Sequence, residues 1–455
     1  MAGDSPHPGR RVSGVRIALV HSLQDPGGKN IRDCLDQLLS GTGRHPFPLE
    51  RHDLIFLETD GRLIEQDGLD RSVQADLLIF ISRHASIEPI PVLTTHVTGN
   101  IGAADLGGKP GSVAVASPGW MHAVLHGLAR HAPPGYRVSY EVTHHGPSDL
   151  ETPSLFVEIG STEKEWTDRS AGTAAAQAIL EAEPGDILSV LGIGGNHYAR
   201  RETEIALRSQ TAFGHIVHTR DTGLVGTEML DLLAQRGRAE AVFIDRKALK
   251  PGEVNRLSGI IRNKSLLIIT ENELLQLEFL SLDCWKTARK LARTIDASAE
   301  LHVSGKICER KLQVIEIPAD LLKEAMRVDA SALKEGLGQM PVIYLSTSTI
   351  PVMPQFITDE ENTPDILHDL ISLCVTIISR GENTAIEGDM LVIRRSKFDP
   401  SSARRLGIPE GPLFGELMKG KNLNIDGREI TPDMVCISEV KRIRIPGMEK
   451  KTCDP

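Results

Sequence analysis

From Val15 to about Thr270 the chain alternates short apolar runs with stretches whose apolar residues recur every three or four positions. Val15-Arg16-Ile17-Ala18-Leu19-Val20 predicts a strand, and 30–39 predicts a helix with Ile31, Cys34, Leu35, Leu38 and Leu39 on one side. Further strands are predicted at 54–57, 77–82, 112–116, 138–142, 155–159, 187–191 and 241–244, with helices over 121–130, 171–182 and 227–235. Strands interleaved with helices imply an α/β layered domain with a mixed or mostly parallel sheet. In such sheets functional groups gather beyond the carboxyl ends of the strands.

After about residue 270 the pattern changes. Helix-like stretches (321–327, 364–373) and strand-like ones (342–345, 390–393) form an additional α+β region over 272–400. The last stretch, 401–455, is rich in Gly, Pro and basic residues, with a hairpin expected at Asp426-Gly427. The expected division is therefore 13–271, 272–400 and 401–455.

Histidines sit at the ends of the apolar runs, and fourteen of the sixteen lie at or before His218. Ile79-Phe80-Ile81-Ser82-Arg83-His84 leaves a strand on an imidazole, as do Val142-Thr143-His144-His145 and Leu191-Gly192-Ile193-Gly194-Gly195-Asn196-His197. His96 and His215 add two more beside small residues. Glu158 places a charge inside the apolar run Leu155-Phe156-Val157-Glu158-Ile159, where burial is costly unless the carboxylate is paired or bound to metal. Imidazoles converging with a carboxylate suit zinc, whose bound water has a pKa near ~7 and provides hydroxide for attack on an ester. No H-E-x-x-H pair occurs, so the ligands must come from separate loops. Each histidine taken alone also fits a surface or hydrogen-bonding role. His122, His126 and His131 fit packing better, His21 fits either, and Glu158 can equally pair with an arginine.

Gly192-Ile193-Gly194-Gly195-Asn196-His197 fails the dinucleotide pattern G-x-G-x-x-G and has no P-loop Lys-Ser/Thr. Its glycines are expected to allow close approach to a substrate or a sharp turn into a helix. Asp25-Pro26-Gly27-Gly28 reads as a turn into a helix N-terminus, either ordinary or suited to an anion.

Composition narrows the partners. At 455 residues two or three domains are expected, and 40% hydrophobic with 25% charged residues exclude wholesale disorder. Aromatics at 4% and a net charge of −10 argue against a general nucleic-acid surface, so RNA contact must be local and DNA is not an expected partner. Six cysteines without a C-x-x-C pair read as reduced thiols. The polar N-terminus and the lack of an apolar stretch of about 18–20 residues point to a cytoplasmic protein without membrane contact.

Several motifs in order resemble the archaeal and plant D-aminoacyl-tRNA deacylases. They are Ile17-Ala18-Leu19-Val20-His21-Ser22 through Gly27, Ser82-Arg83-His84-Ala85-Ser86, Thr95-His96-Val97-Thr98-Gly99-Asn100, Thr143-His144-His145-Gly146-Pro147, Phe156-Val157-Glu158-Ile159-Gly160-Ser161 and Gly194-Gly195-Asn196-His197-Tyr198. The likeness spans about 13–270. It implies an α/β/α fold related to phosphorylase and peptidyl-tRNA hydrolase architectures, two Zn2+ ions per subunit, and hydrolysis of the ester joining a D-amino acid to tRNA, as translation quality control. Within these motifs the expected metal ligands are His84, His96, His144, His145, Glu158 and His197. His145, His197 and Glu158 are the expected catalytic groups. Asn100, Asn196 and Arg200 are expected to meet substrate or tRNA. A monomer is expected, with the oligomeric state left open.

The C-terminal part departs from the shorter members of that family. Arg404-Arg405-Leu406-Gly407-Ile408-Pro409-Glu410-Gly411-Pro412-Leu413-Phe414-Gly415 resembles part of ribonuclease Z, but that enzyme's H-x-H-x-D-H motif is missing and nuclease chemistry is not implied. Lys441, Arg442 and Arg444, with Lys450-Lys451, are expected phosphate contacts, the alternative being a solvated basic tail. Two rival functions stay open: a zinc-dependent amide or peptide hydrolase, and a non-catalytic tRNA-binding or processing accessory protein.

Overall fold

The structure, a computed structural model, describes residues 14–41, 46–86, 89–304, 307, 311–361, 363–425 and 427–446. The chain divides into two compact units, 1–278 and 279–455.

The first unit opens with β1 (Arg16–Ser22), α1 (Pro26–Leu39), β2 (Asp53–Thr59), β3 (Leu77–Ala85) and β4 (Val92–His96). Two short strands follow, β5 (Gly99–Asn100) and β6 (Ser112–Val113), then α2 (Pro118–His131), β7 (Arg137–Tyr140) and β8 (Ser154–Ser161). After α3 (Glu163–Trp166) and α4 (Arg169–Leu180) come β9 (Leu188–Gly195), α5 (Arg200–Arg208) and β10 (Thr211–His218). The unit continues through α6 (Thr227–Arg236), β11 (Ala241–Ile244), α7 (Pro251–Asn263) and β12 (Leu267–Ile269).

Two sheets result, in the orders β2-β1-β3-β8-β4-β7 and β10-β9-β11-β12. Every neighbouring pair in them is parallel except β4 with β8. The unit is thus α/β with a mostly parallel central sheet, as the alternating pattern predicted. Uninterrupted apolar runs suit strands covered on both faces: Ile17 to Val20 and Leu77 to Ile81 are all buried. The 3.6-residue pattern in 227–263 serves the second sheet, where Leu230, Leu233, Leu257 and Ile261 pack against Leu191, Ile193 and Val242.

Three expectations need correction. The glycines of 192–195 form no turn: β9 runs through them to Gly195, and Gly194 takes a φ of +107° that favours glycine. Strand formation past Leu191 comes from pairing with β10 and β11, which local glycine content does not reveal. Of the two readings of 25–28, the ordinary turn into a helix holds and the anion site does not, because Asp25 caps α1, accepting from Gly28 N at 2.9 Å. And 112–116 contributes only the two-residue β6.

In the second unit an antiparallel sheet runs in the order Glu300–Ser304, Val342–Ser346, Gln355–Asp359, Leu312–Glu316. Helices Ala319–Leu337 and Thr363–Gly381 bury Leu321, Ala325, Leu370 and Ile371 against Phe356. Strand Cys436–Arg444 pairs along its whole length with Met390–Phe398, and Ile443 and Ile445 join that same core. The hairpin at 423–430 forms, with Gly427 at φ +79°; Asp426, Lys450 and Lys451 lie outside the described residues. Among the described residues, no helix is long and apolar enough to cross a membrane.

Candidate metal centre

The centre forms on one face of the six-stranded sheet, where strands of opposite direction overlap. Side chains two apart share a face, so Phe80, Ser82 and His84 of β3 lie beside Phe156 and Glu158 of β8. Thr94 and His96 of the reversed strand β4 stand opposite Glu158 and Phe156. Reversal explains why the site is not at one edge of the sheet: β4 and β7 deliver their carboxyl ends from the direction opposite to β3 and β8. Gly160 is required here, because a Cβ at that position would come within 2.7 Å of His84 Cβ and Cδ2.

Two further segments close over this face. Beyond β7 the chain carries Glu141, His144 and His145, and beyond β9 it carries His197. Glu141 is 1% exposed, with Oε1 3.0 Å from His84 Nδ1 and Oε2 3.2 Å from His197 Nε2 and 3.4 Å from His144 Nε2. Glu158 Oε2 lies 3.5 Å from His84 Nδ1, and His96 Nε2 lies 3.1 Å from His145 Nε2. The structure thus brings together all six expected ligands: His84, His96, His144, His145, Glu158 and His197. It adds Glu141.

Hydrogen bonds behind the rings fix which nitrogen faces inward. His144 Nδ1 lies 2.8 Å from the carbonyl of Val142 and His145 Nδ1 lies 2.6 Å from that of Gly146. Donation to those carbonyls leaves each Nε2 lone pair directed at the cluster. His145 sits at φ +49°, a left-handed backbone uncommon for a side chain with a Cβ, and its carbonyl accepts from Gly99 N at 2.9 Å. His84 Nε2 meets the Tyr198 hydroxyl at 3.2 Å.

Electrostatics also favour a cation. Burial lowers the pKa of His96 to about 3 and of His145 to about 4, and drives His144 well down, so these rings are neutral with free lone pairs. Burial also acts to lower His84, but the carboxylates of Glu141 and Glu158 raise it to about 11, so this position favours a positive charge, carried by the ring proton or by a metal ion that displaces it. Burial raises Glu158 to about 7, whereas surrounding imidazoles, His84 foremost, override burial and hold Glu141 well below the usual carboxylate range. Neither oxygen of Glu141, nor Nδ1 of His96, finds an aligned hydrogen-bond partner, an arrangement costly for buried polar atoms without a ligand. Three overlapping groups have donor atoms within 4.8 Å of one another: His96/His144/His145, His84/Glu141/His197 and His96/Glu141/Glu158. Nitrogen and carboxylate donors in threes suit a catalytic zinc, so the residues fit that metal.

A cleft of about 380 Å³ opens on the cluster, walled by Leu63, Ile64 and Leu106 and rimmed by Arg62 and Arg83. His215 lies outside it: its two nitrogens meet Thr143 Oγ1 at 3.0 Å and the Ala114 carbonyl at 3.1 Å. His122 and His126 brace α2 against the Ala206 carbonyl. Asn100 is buried, its amide spent on the carbonyl of Gly107 at 2.8 Å. Asn196 and Arg200 line a separate cavity, and Arg200 pairs with Glu204 at 2.8 Å. Lys441, Arg442 and Arg444 belong to the second unit. There Lys441 lies 3.1 Å from Glu324, Arg444 lies 2.7 Å from Asp389, and Arg442 is exposed. Glu141 went unrecognised in the sequence. Its signal was the one that marked Glu158: a charge inside an apolar run, Val138-Ser139-Tyr140-Glu141-Val142.

A family profile described as D-aminoacyl-tRNA deacylase matches residues 71–269. The D-aminoacyl-tRNA deacylase of Methanoculleus marisnigri is 47% identical over 436 residues, covering 96% of this chain and 100% of that protein. The chain belongs to the D-aminoacyl-tRNA deacylase family. Another member, from Methanoregula boonei, is 44% identical over 96% of this chain and 99% of its own. These members therefore share the second unit as well as the first. A solved structure of a conserved protein of unknown function is 32% identical, with a TM-score of 0.53, and covers 58% of this chain and 98% of its own. It supports the α/β fold of this family member.

Proposed function

We propose that the chain hydrolyses the ester between a D-amino acid and the 3′ end of tRNA, using zinc held by the histidine–carboxylate cluster. Family membership supports the substrate class. The observation that carries the chemistry is Glu141, a buried carboxylate whose two oxygens face the nitrogens of His84, His144 and His197 within 3.4 Å.

Two groups without a shared residue, His96/His144/His145 and His84/Glu141/His197, support two ions rather than one. Zinc bound there supplies an acidified water and polarises the ester carbonyl. Glu158, which lines the cleft beside His84 and is absent from both of those groups, is the group suited to take a proton from the attacking water. His197 has the most exposed side chain of the cluster at 39% and faces the cleft, so it can reach the departing ribose oxygen. His145, fixed through Nδ1, holds its Nε2 in place beside His96. Leu63, Ile64 and Leu106 give one side of the cleft an apolar surface against which the substrate can lie. Arg442 and Arg444 remain proposed phosphate contacts.

The test is substitution of His144 or His197 by Ala, with zinc content and D-tyrosyl-tRNA deacylation measured together. Loss of both supports the reading. Unchanged metal and rate remove those residues from the site.

A further inference from the structure

Besides the cleft at the metal centre, the first unit holds a cavity of about 560 Å³ that contains none of the cluster residues. Its walls include Val92, Val138, Leu207 and Tyr198, and Arg137, Arg200 and Glu204 line it as well. Consecutive residues alternate between the two spaces: Asn196 and Tyr198 line this cavity, while His197 lines the cleft. The Tyr198 hydroxyl then reaches His84 Nε2 at 3.2 Å, so one residue connects the cavity lining with the metal centre.

We propose that this cavity binds a nucleotide of the tRNA acceptor end, its base against Tyr198 and the apolar walls and its phosphate near Arg137 and Arg200. This rests on the deacylase reading and extends it to a subsite. Three features support a nucleotide as the occupant. The volume falls within the roughly 300–1,000 Å³ that encloses a small organic ligand. An aromatic residue with apolar neighbours is how proteins hold an unpaired base, and Tyr198 brings one to this cavity even though aromatics are scarce in the chain. Both arginines are exposed; Glu204 of the same lining pairs with Arg200, while among the described residues Arg137 has no carboxylate partner, so Arg137 offers the polyanionic strand its cation on an otherwise acidic protein. With no cluster residue in its walls, the cavity suits a part of the substrate that does not react.

Full-length protein carrying Arg137→Glu or Leu207→Trp tests this. Both substitutions should weaken binding of uncharged tRNA about tenfold and raise KM for D-tyrosyl-tRNA in parallel. Arg137→Ala should also lower the slope of log affinity against log salt by about one. The rate ratio between D-tyrosyl-tRNA and D-alanyl-tRNA should stay as in the wild type for Leu207→Trp. Unchanged tRNA affinity in both variants overturns the proposal. So does a shifted D-Tyr to D-Ala ratio, which would give the cavity to the amino-acid side chain. Wild-type protein that binds tRNA through Arg137 without deacylating it would sink only the deacylase reading. Deacylation with variants indistinguishable from wild type would sink only this one.

Discussion

Glu141 and His84 meet at 3.0 Å, Oε1 to Nδ1, although His84 lies in the last two residues of β3 and Glu141 lies beyond another strand, 57 residues later. The same carboxylate reaches His197, which follows β9 of the other sheet. One buried anion therefore ties together imidazoles from both sheets of the first unit. Glu141→Gln keeps the shape and removes the charge. It should lower zinc content and reduce D-tyrosyl-tRNA deacylation by about 100-fold or more. Metal analysis beside single-turnover kinetics checks this, and retention of metal at wild-type rate would remove Glu141 from its role.

Tyr198→Phe deletes the hydroxyl that meets His84 Nε2 while keeping the ring. Partners behind a ligating imidazole typically matter by about 10–100-fold in metal affinity or rate. A zinc-affinity titration of the variant should fall in that range. An unaltered affinity would make the 3.2 Å contact incidental.

Much of this arrangement was legible in the sequence, because buried strands and amphipathic helices write their periods directly into it. β3, β8 and β11 are found where the apolar runs lie. β4 and β10 were not predicted, since Val92–His96 is interrupted by two threonines and Thr211–His218 by a glycine and a histidine. Pairing with β8 and β9 makes strands of them. Repetition of histidine at strand exits pointed to the cluster, but separating His96 from His215 required tertiary contacts. Both are fully buried, and only His215 has its two nitrogens engaged by neighbouring groups. Chain reversal at β4, which moves the site from the sheet edge onto its face, leaves no local signature.

Glu202 supplies a pH-dependent test of stability away from the cluster. Its carboxyl is fully buried on α5 with neither oxygen hydrogen-bonded, and burial raises its pKa to about 7. The folded state then holds a proton that the unfolded chain releases near pH 4.5, so stability falls as pH rises from about 4.5 to about 7. That loss is on the order of 3 kcal/mol at alkaline pH. Glu202→Gln should therefore raise Tm at pH 8 and leave it nearly unchanged at pH 4. Equal effects at the two pH values would contradict the assignment.

In the second unit Glu324 is surrounded by Arg327, Arg395 and Lys441, at 2.9, 2.5 and 3.1 Å. Burial acts to raise its pKa, but these cations lower it to about 2. The resulting stability is present above about pH 4.5 and is lost as pH falls toward 2. Glu324→Gln should destabilise this unit by about 3 kcal/mol at pH 7, because three cations lose their shared partner. Chemical denaturation of the variant, followed at neutral pH and at pH 3, should show the difference shrinking in acid.

The most direct measurement is deacylation of D-tyrosyl-tRNA by full-length protein before chelation, after it, and after zinc is returned. The histidine–carboxylate account predicts activity that disappears with the metal and comes back with zinc. Undiminished hydrolysis by protein shown to be metal-free would contradict it.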